Sequence, residues 1–471
     1  MPPARPPEPT TTERSDAADG IDRCGFLLAF TDQRMTDGWL YGWGLGSVAF
    51  GGASLVVPLY VVDLGGGPFV LGVLAAVAAA VGVPGALWFG RVADRTGRRR
   101  DLVLAALAAS AAAIAAIPLT DGVGAVIAAN AVVWFAFAAA TPVLTLLAVA
   151  GVPESAWSER IADLNRFQGI GWALGLLLGT VWTVGGTRLV PPATATRTLF
   201  VPLALAAAGS CVVVVRALPA DPVGADGAAA IPSGSRVRRA IRRADRFAVR
   251  GATLPGALTR TDFRGLHPRR FAARFTPALA AYFAAALLFL SGSAAFFAPL
   301  PAFLTEVGFG SGGTFALYLT NSAAAAVAFG TVGRLSADRN VVRLQVGGLV
   351  ARGVLLPVVA VVGAALGASA LGFAAVGAAF AAVGLTWAVI AVTAGTVVTR
   401  LSPPAIRGEA LGVYAALGAF AGGIGSVVGG WLAADSYGLA FAVAGALVLA
   451  GAAVGLAVGR RVDGDAPRAA G

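Results

Sequence analysis

Twelve mostly apolar runs alternate with short polar segments along the chain, at 40–61, 69–89, 102–119, 123–147, 165–184, 198–215, 278–303, 313–332, 344–366, 371–398, 412–432 and 438–459. Each is close to the ~20 residues that an α-helix needs to cross a bilayer core. The pattern therefore predicts an all-α membrane protein with twelve transmembrane helices. Polar residues dilute the fifth and eighth runs most. An even number of crossings puts both ends of the chain on one side.

Composition agrees: 57% of the residues are hydrophobic and 13% charged, against about 25% charged in an average soluble protein. The formal charge of +11 does not point to nucleic acid, because the basic residues lie between apolar runs instead of in one folded basic domain. Every basic residue is arginine, which accompanies the Ala, Gly and Val richness as a compositional bias and carries no function. Cys24 and Cys211 sit in the N-terminal segment and in an apolar run, so no structural disulfide is expected. His267 stands alone, which leaves no metal site. Without a phosphate-binding glycine loop ATP drive is not expected, without a His/Asp/Glu cluster at the membrane an enzyme is not, and no cofactor is expected.

Arginine placement sets the predicted orientation. Of the 35 arginines, 32 fall in segments on the side of the termini; Arg188 and Arg197 fall on the other side and Arg352 inside a run. The positive-inside rule then puts both termini in the cytoplasm and the protein in the cell membrane as a multi-pass protein. Residues 1–39 read as a disordered cytoplasmic tail, 40–215 as a six-helix bundle, 216–277 as an arginine-rich cytoplasmic linker, 278–459 as a second six-helix bundle and 460–471 as a short tail. Within the linker, Val237, Ala240, Ile241, Ala244 and Phe247 share one helical face and the arginines the other. That pattern suits a helix in the headgroup region or a solvated linker helix, and both readings stand.

The two halves repeat. An offset of 243 maps Pro58 to Pro301, Asp63 to Glu306, Gly65 to Gly308 and Gly90 to Gly333; an offset of 244 then maps Asp94, Arg95 and Arg99 to Asp338, Arg339 and Arg343. Another register, 247, maps Arg160 to Arg407 and Gly171 to Gly418. Glycines recur at nearly every fourth position in the fifth run (Gly171, Gly175, Gly179) and in the eleventh (Gly418, Gly422, Gly425, Gly429).

Between the second and third runs the chain reads GRVADRTGRRR. Gly90, Asp94, Arg95, Gly97, Arg98 and Arg99 match every fixed position of G-x-x-x-D-R-x-G-R-R, and on this ground the chain resembles the major facilitator superfamily. The second copy, GRLSADRNVVR, is one residue longer and lacks the second glycine. The resemblance implies two pseudo-symmetric six-helix bundles that carry a small solute by alternating access, with a proton or ion as a conceivable companion. It implies that Asp94 works across the halves near Arg407, that Asp338 and Arg339 mirror it, and that the glycine ladders form the seam between halves. It also implies a monomer in the lipid bilayer with a midplane cavity lined mainly by the first, fourth, seventh and tenth spans.

Polar residues in mid-membrane are costly and so mark pathway candidates: Ser54, Asn130, Trp134, Tyr282, Ser291, Asn321, Arg352 and Trp387, with Trp43, Phe50 and Thr386 beside them. Arg352 is expected to meet either a loop carboxylate such as Asp338 or a ligand. No carboxylate falls inside a run, which leaves Asp63 and Glu306, at run ends, as the candidates for proton coupling. An apolar, aromatic cavity favours a neutral or amphiphilic solute over a multiply charged one. An alternative reading is a non-transporting sensor or scaffold of the same build that acts through the arginine-rich linker.

Overall fold

The computed structural model describes residues 38–96, 98–148, 157–218, 275–403 and 406–464. The N-terminal segment, most of the central linker (219–274) and the C-terminal end lie outside the described residues. Twelve helical spans are present and, among the described residues, no strand. They are Gly38–Asp63, Pro68–Thr96, Arg99–Ala116, Val123–Ala148, Trp157–Gly186, Pro192–Ala217, Pro277–Phe297 continued by Leu300–Glu306, Gly310–Asp338, Val341–Leu366, Ala370–Leu401, Arg407–Asp435 and Tyr437–Gly464. Below they are called the first to twelfth spans. The end of the molecule with the 97–98 turn is the signature end, and the opposite one the far end.

The helices overrun several of the apolar runs, and two of the differences trace to proline. The sixth helix starts at Pro192, before its apolar run, because proline is well suited to an opening turn. The seventh span is two helices where one was expected: Pro299 and Pro301 follow Ala298, and neither has an N–H for the helix ladder. The first span carries only Pro58 and stays continuous.

The packing list is written twice. The first span lies against the fifth and sixth, the second against the fourth, and the third against the fourth and sixth; the seventh to twelfth repeat each of these pairings. The repeat extends to the backbone. Gly65 (φ +83°) and Gly308 (φ +92°), equivalent at the offset of 243, both turn the chain at the far end in the left-handed region. A side chain there costs about 1–2 kcal/mol, so Gly308→Ala should lower the thermal unfolding midpoint measurably while Gly333→Ala, in a helix with nothing near its Cβ position, should not.

Within the third and ninth spans the register is 242, not the 244 expected from Arg99 and Arg343. The buried positions coincide at this offset: Val103 with Gln345, Ala106 with Gly348, Leu107 with Leu349, Ser110 with Arg352 and Ile114 with Leu356. The cause is the turn. Asn340 caps the ninth helix by accepting from the N–H groups of Val342 and Arg343 at 3.1 Å each, so that helix begins sooner after Asp338 than the third does after Asp94.

The glycine ladders do less at the seam than the resemblance implies. Methyls on Gly171 and Gly175 would strike the carbonyl oxygens of Gly44 and Val48 in the first span, and on Gly425 and Gly429 those of Ser291 and Ala295 in the seventh. These glycines let helices of the same half pack backbone to backbone. The contacts between halves are concentrated at the far end, where Gly72 meets Ser426 and Gly430, Gly179 meets Phe315, and Gly312 meets Val184. The Leu300–Glu306 helix also lies on the first span. Midway along the second and eleventh spans the two helices leave an open groove of about 600 Å³, lined by apolar residues such as Ala76, Val83, Phe420 and Ile424. The fourth and tenth spans make no contact comparable to those at the far end.

Candidate functional site

Two clusters stand near the middle of the helices, one in each half. In the first half, Trp43 stacks on Phe137 (ring centroids 5.6 Å) and Phe50 meets Phe137 edge-on at 4.6 Å. Trp134 and Trp172 close the group, 6.2 Å apart. The indole N–H of Trp43 is buried with no acceptor. Ser54 turns back onto its own helix, donating to the Gly51 carbonyl at 2.7 Å, and Asn130 is buried in the fourth span.

The cluster in the second half is built on Arg352. Gln345 and Arg352 are seven residues apart, two turns on one face of the ninth helix. Gln345 donates to the Tyr282 hydroxyl at 2.6 Å, and Tyr282 stacks on Tyr414 at 6.5 Å. Arg352, only 2% exposed, donates from Nε to the Ser293 hydroxyl at 3.1 Å. Its Nη1 donates to the Val383 carbonyl at 3.1 Å and to the Thr386 hydroxyl at 3.3 Å. The guanidinium carbon lies 5.5 Å from the ring centroids of both Phe297 and Trp387, which hold the cation between two aromatic rings.

This corrects one expectation. Asp338 ends the eighth helix and Arg352 is eleven residues beyond Val341, roughly 16 Å up the ninth helix at 1.5 Å per residue. That separation takes Arg352 away from the loop carboxylate. Among the described residues it forms no ion pair.

Of the other predicted residues, Trp387 joins the arginine cluster, while Tyr282 bonds Gln345, two turns from Arg352 on the ninth helix. Ser291 does not: its backbone abuts Gly425, and Ser293 is the serine that meets the guanidinium. Asn321 is in the eighth span with its Oδ1 enclosed and without a hydrogen-bond partner. Asp63 and Glu306 are exposed at the far end; Glu306 accepts a short hydrogen bond from the Tyr437 hydroxyl, and the Thr196 hydroxyl stands beside Asp63. Gly90, Asp94 and Arg95 form the last turns of the second helix, Asp338 ends the eighth and Arg407 opens the eleventh. The side chains of Asp94, Arg95, Asp338 and Arg407, and all of Gly97, lie outside the described set, so the cross-half contact expected of Asp94 does too. Arg98 precedes the third helix, Arg99 opens it half-buried, and Arg339 is exposed.

Sequence reasoning missed Gln345, Ser293, Phe297, Phe137 and Trp172. The seven-residue spacing of Gln345 and Arg352 was a readable sign for the first. The others are ordinary apolar-run residues that only packing singles out.

The architecture is that of a polytopic membrane carrier with two duplicated six-helix bundles. A family model described as the Major Facilitator Superfamily matches residues 2–156 and 44–390, and the chain belongs to that superfamily of membrane transporters. No curated protein matches the sequence. The fold is shared with solved transporters at low identity. The nucleoside transporter NupG is 11% identical, with a TM-score of 0.63 over 91% of this chain and 98% of that one. A bacterial homologue of the human lysosomal transporter Spinster, solved inward-facing and unoccupied, is 13% identical with a TM-score of 0.65 over 93% and 99%. A transporter of the POT family, solved with a thioalcohol-conjugated peptide, is 12% identical with a TM-score of 0.63 over 91% and 96%.

Proposed function

We propose that this chain is a secondary transporter that moves a small solute across the cell membrane by alternating access of a midplane site. The observation that carries the reading is the uneven contact between halves: backbone-close at the far end, with an open groove at mid-span and no comparable contact between the fourth and tenth spans. One of two gates is shut in such an arrangement, and moving the contact to the other end would expose the site on the other side. The arginine distribution puts the signature end in the cytoplasm, so the described conformer is inward-facing. Solute enters between the aromatic cluster of the first half and the arginine cluster of the second.

The test is counterflow of a labelled solute library in proteoliposomes, with Asp94→Asn as the informative variant. Asp94 lies in the last turn of the second helix, and a negative charge favours the start of a facing helix. Loss of that charge should lower flux at least tenfold, a coupling of ~1.4 kcal/mol, while the thermal midpoint stays near wild type. Flux unchanged by the substitution counts against the assigned gate; no flux for any solute counts against transport.

A further inference from the structure

We infer that Arg352 is the subsite for a single anionic group on the transported solute, a carboxylate on an aromatic or otherwise apolar body. The inference rests on the transporter reading and narrows it to a substrate class. A cation near the middle of a bilayer-spanning helix is expensive and normally has a counterion. Here the partners are all neutral: two hydroxyls and one carbonyl, with two aromatic faces beside them. The Nη2 donors make no hydrogen bond to any described residue, and the Phe297, Trp387 and Ser293 side chains around the group are only half-buried.

The duplication shows that the fold does not need the charge. At the equivalent place in the first half stands Ser110, which satisfies itself on the Ala106 carbonyl at 3.0 Å, and the equivalent of Ser293 is Phe50. One half offers a cation whose partners are all neutral, and the other an aromatic wall in which half-buried Trp134 and Trp172 lie over the buried rings of Trp43, Phe50 and Phe137. Together they fit a molecule with one anionic end and an apolar body better than a neutral, cationic or multiply charged one. A small inorganic anion would satisfy the arginine and leave the aromatic wall unused.

The full-length protein, with Cys24 and Cys211 replaced by serine, tests this without a known substrate. Phe297→Cys puts a thiol beside the guanidinium. Its reaction with anionic sulfonatoethyl methanethiosulfonate should be at least about tenfold faster than with the cationic trimethylammonioethyl reagent, after correction for free thiol. Arg352→Gln should abolish that preference and Arg352→Lys keep it. In parallel, naphthoate should raise the melting temperature of the purified protein, and naphthamide and chloride should not, with the naphthoate effect lost in Arg352→Gln. A cysteine that reacts with neither reagent, or with both equally, overturns the subsite. So does stabilisation by chloride alone, by naphthamide as strongly as by naphthoate, or by none of the three. Both measurements are made on the purified protein in detergent, so they stand apart from flux: transport without this anion preference sinks the subsite only, and anion binding without flux sinks the transporter reading only.

Discussion

Gly430→Leu is expected to open the far end of the molecule, and Gly423→Leu to hold it shut. The two residues are seven apart, on one face of the eleventh helix toward the second. At Gly430 a Cβ would lie 2.5 Å from the Pro68 carbonyl oxygen and 3.0 Å from the Gly72 Cα, both backbone atoms that cannot rotate away. At Gly423, which lines the apolar groove, no atom comes within 4 Å. A leucine at 430 is therefore excluded from the described conformer, and one at 423 is accommodated by it. In a conformer closed at the signature end the second site becomes the crowded one. Overpacking of this kind costs about 1–3 kcal/mol, enough to change a conformational ratio roughly 5–150-fold. Spin labels on the exposed far-end residues Leu189 and Leu371, one in each half, report the outcome as a distance distribution. The long-distance population should grow in Gly430→Leu and shrink in Gly423→Leu. Shifts in the same direction, or none, would refute a rocking motion between the halves.

Arg352→Met should leave the fold as stable as wild type or make it more stable. Removing one member of a buried ion pair costs about 3–5 kcal/mol because the other is stranded, whereas replacing buried charge by apolar volume is often neutral or stabilising. The neighbours of Arg352 are already satisfied without it. Ser293 donates to the Phe289 carbonyl at 2.9 Å and Thr386 to the Val383 carbonyl at 2.7 Å. Methionine fills similar space with a flexible apolar chain that packs well on Phe297 and Trp387. The thermal midpoint of the purified variant should be equal or a few degrees higher, with activity lost, the usual signature of a group kept for function at a cost in stability. A drop comparable to the loss of an ion pair would reveal a structural role for the charge.

Much of this architecture was legible in the sequence because hydrocarbon imposes a length rule that apolar runs report directly. The runs gave twelve crossings, and the matching Gly65 and Gly308 announced a duplication that the backbone repeats. What failed was local. Pro299 breaks a run that hydropathy treats as continuous, since proline's effect lies in a missing N–H and not in polarity. Asn340 shortens a turn and moves the register of the whole ninth helix by two residues. The site was legible only where a residue was conspicuous in itself. Arg352 and Trp387 stood out, but Ser293 had to be told from Ser291 by helix rotation, and Phe137 from dozens of other apolar residues by its neighbours. The glycine ladders were visible, yet spacing does not say whether a glycine faces its own half or the other.

The pairing of Ser110 with Arg352 has a consequence for how such a protein could arise. Two identical six-helix subunits joined by a twofold axis would have to carry the mid-bilayer guanidinium in both copies, doubling the desolvation cost and setting like charges around one shared chamber. Joining the copies into a single polypeptide frees each to change alone, so that one grips a charged head while its sibling cradles the greasy remainder.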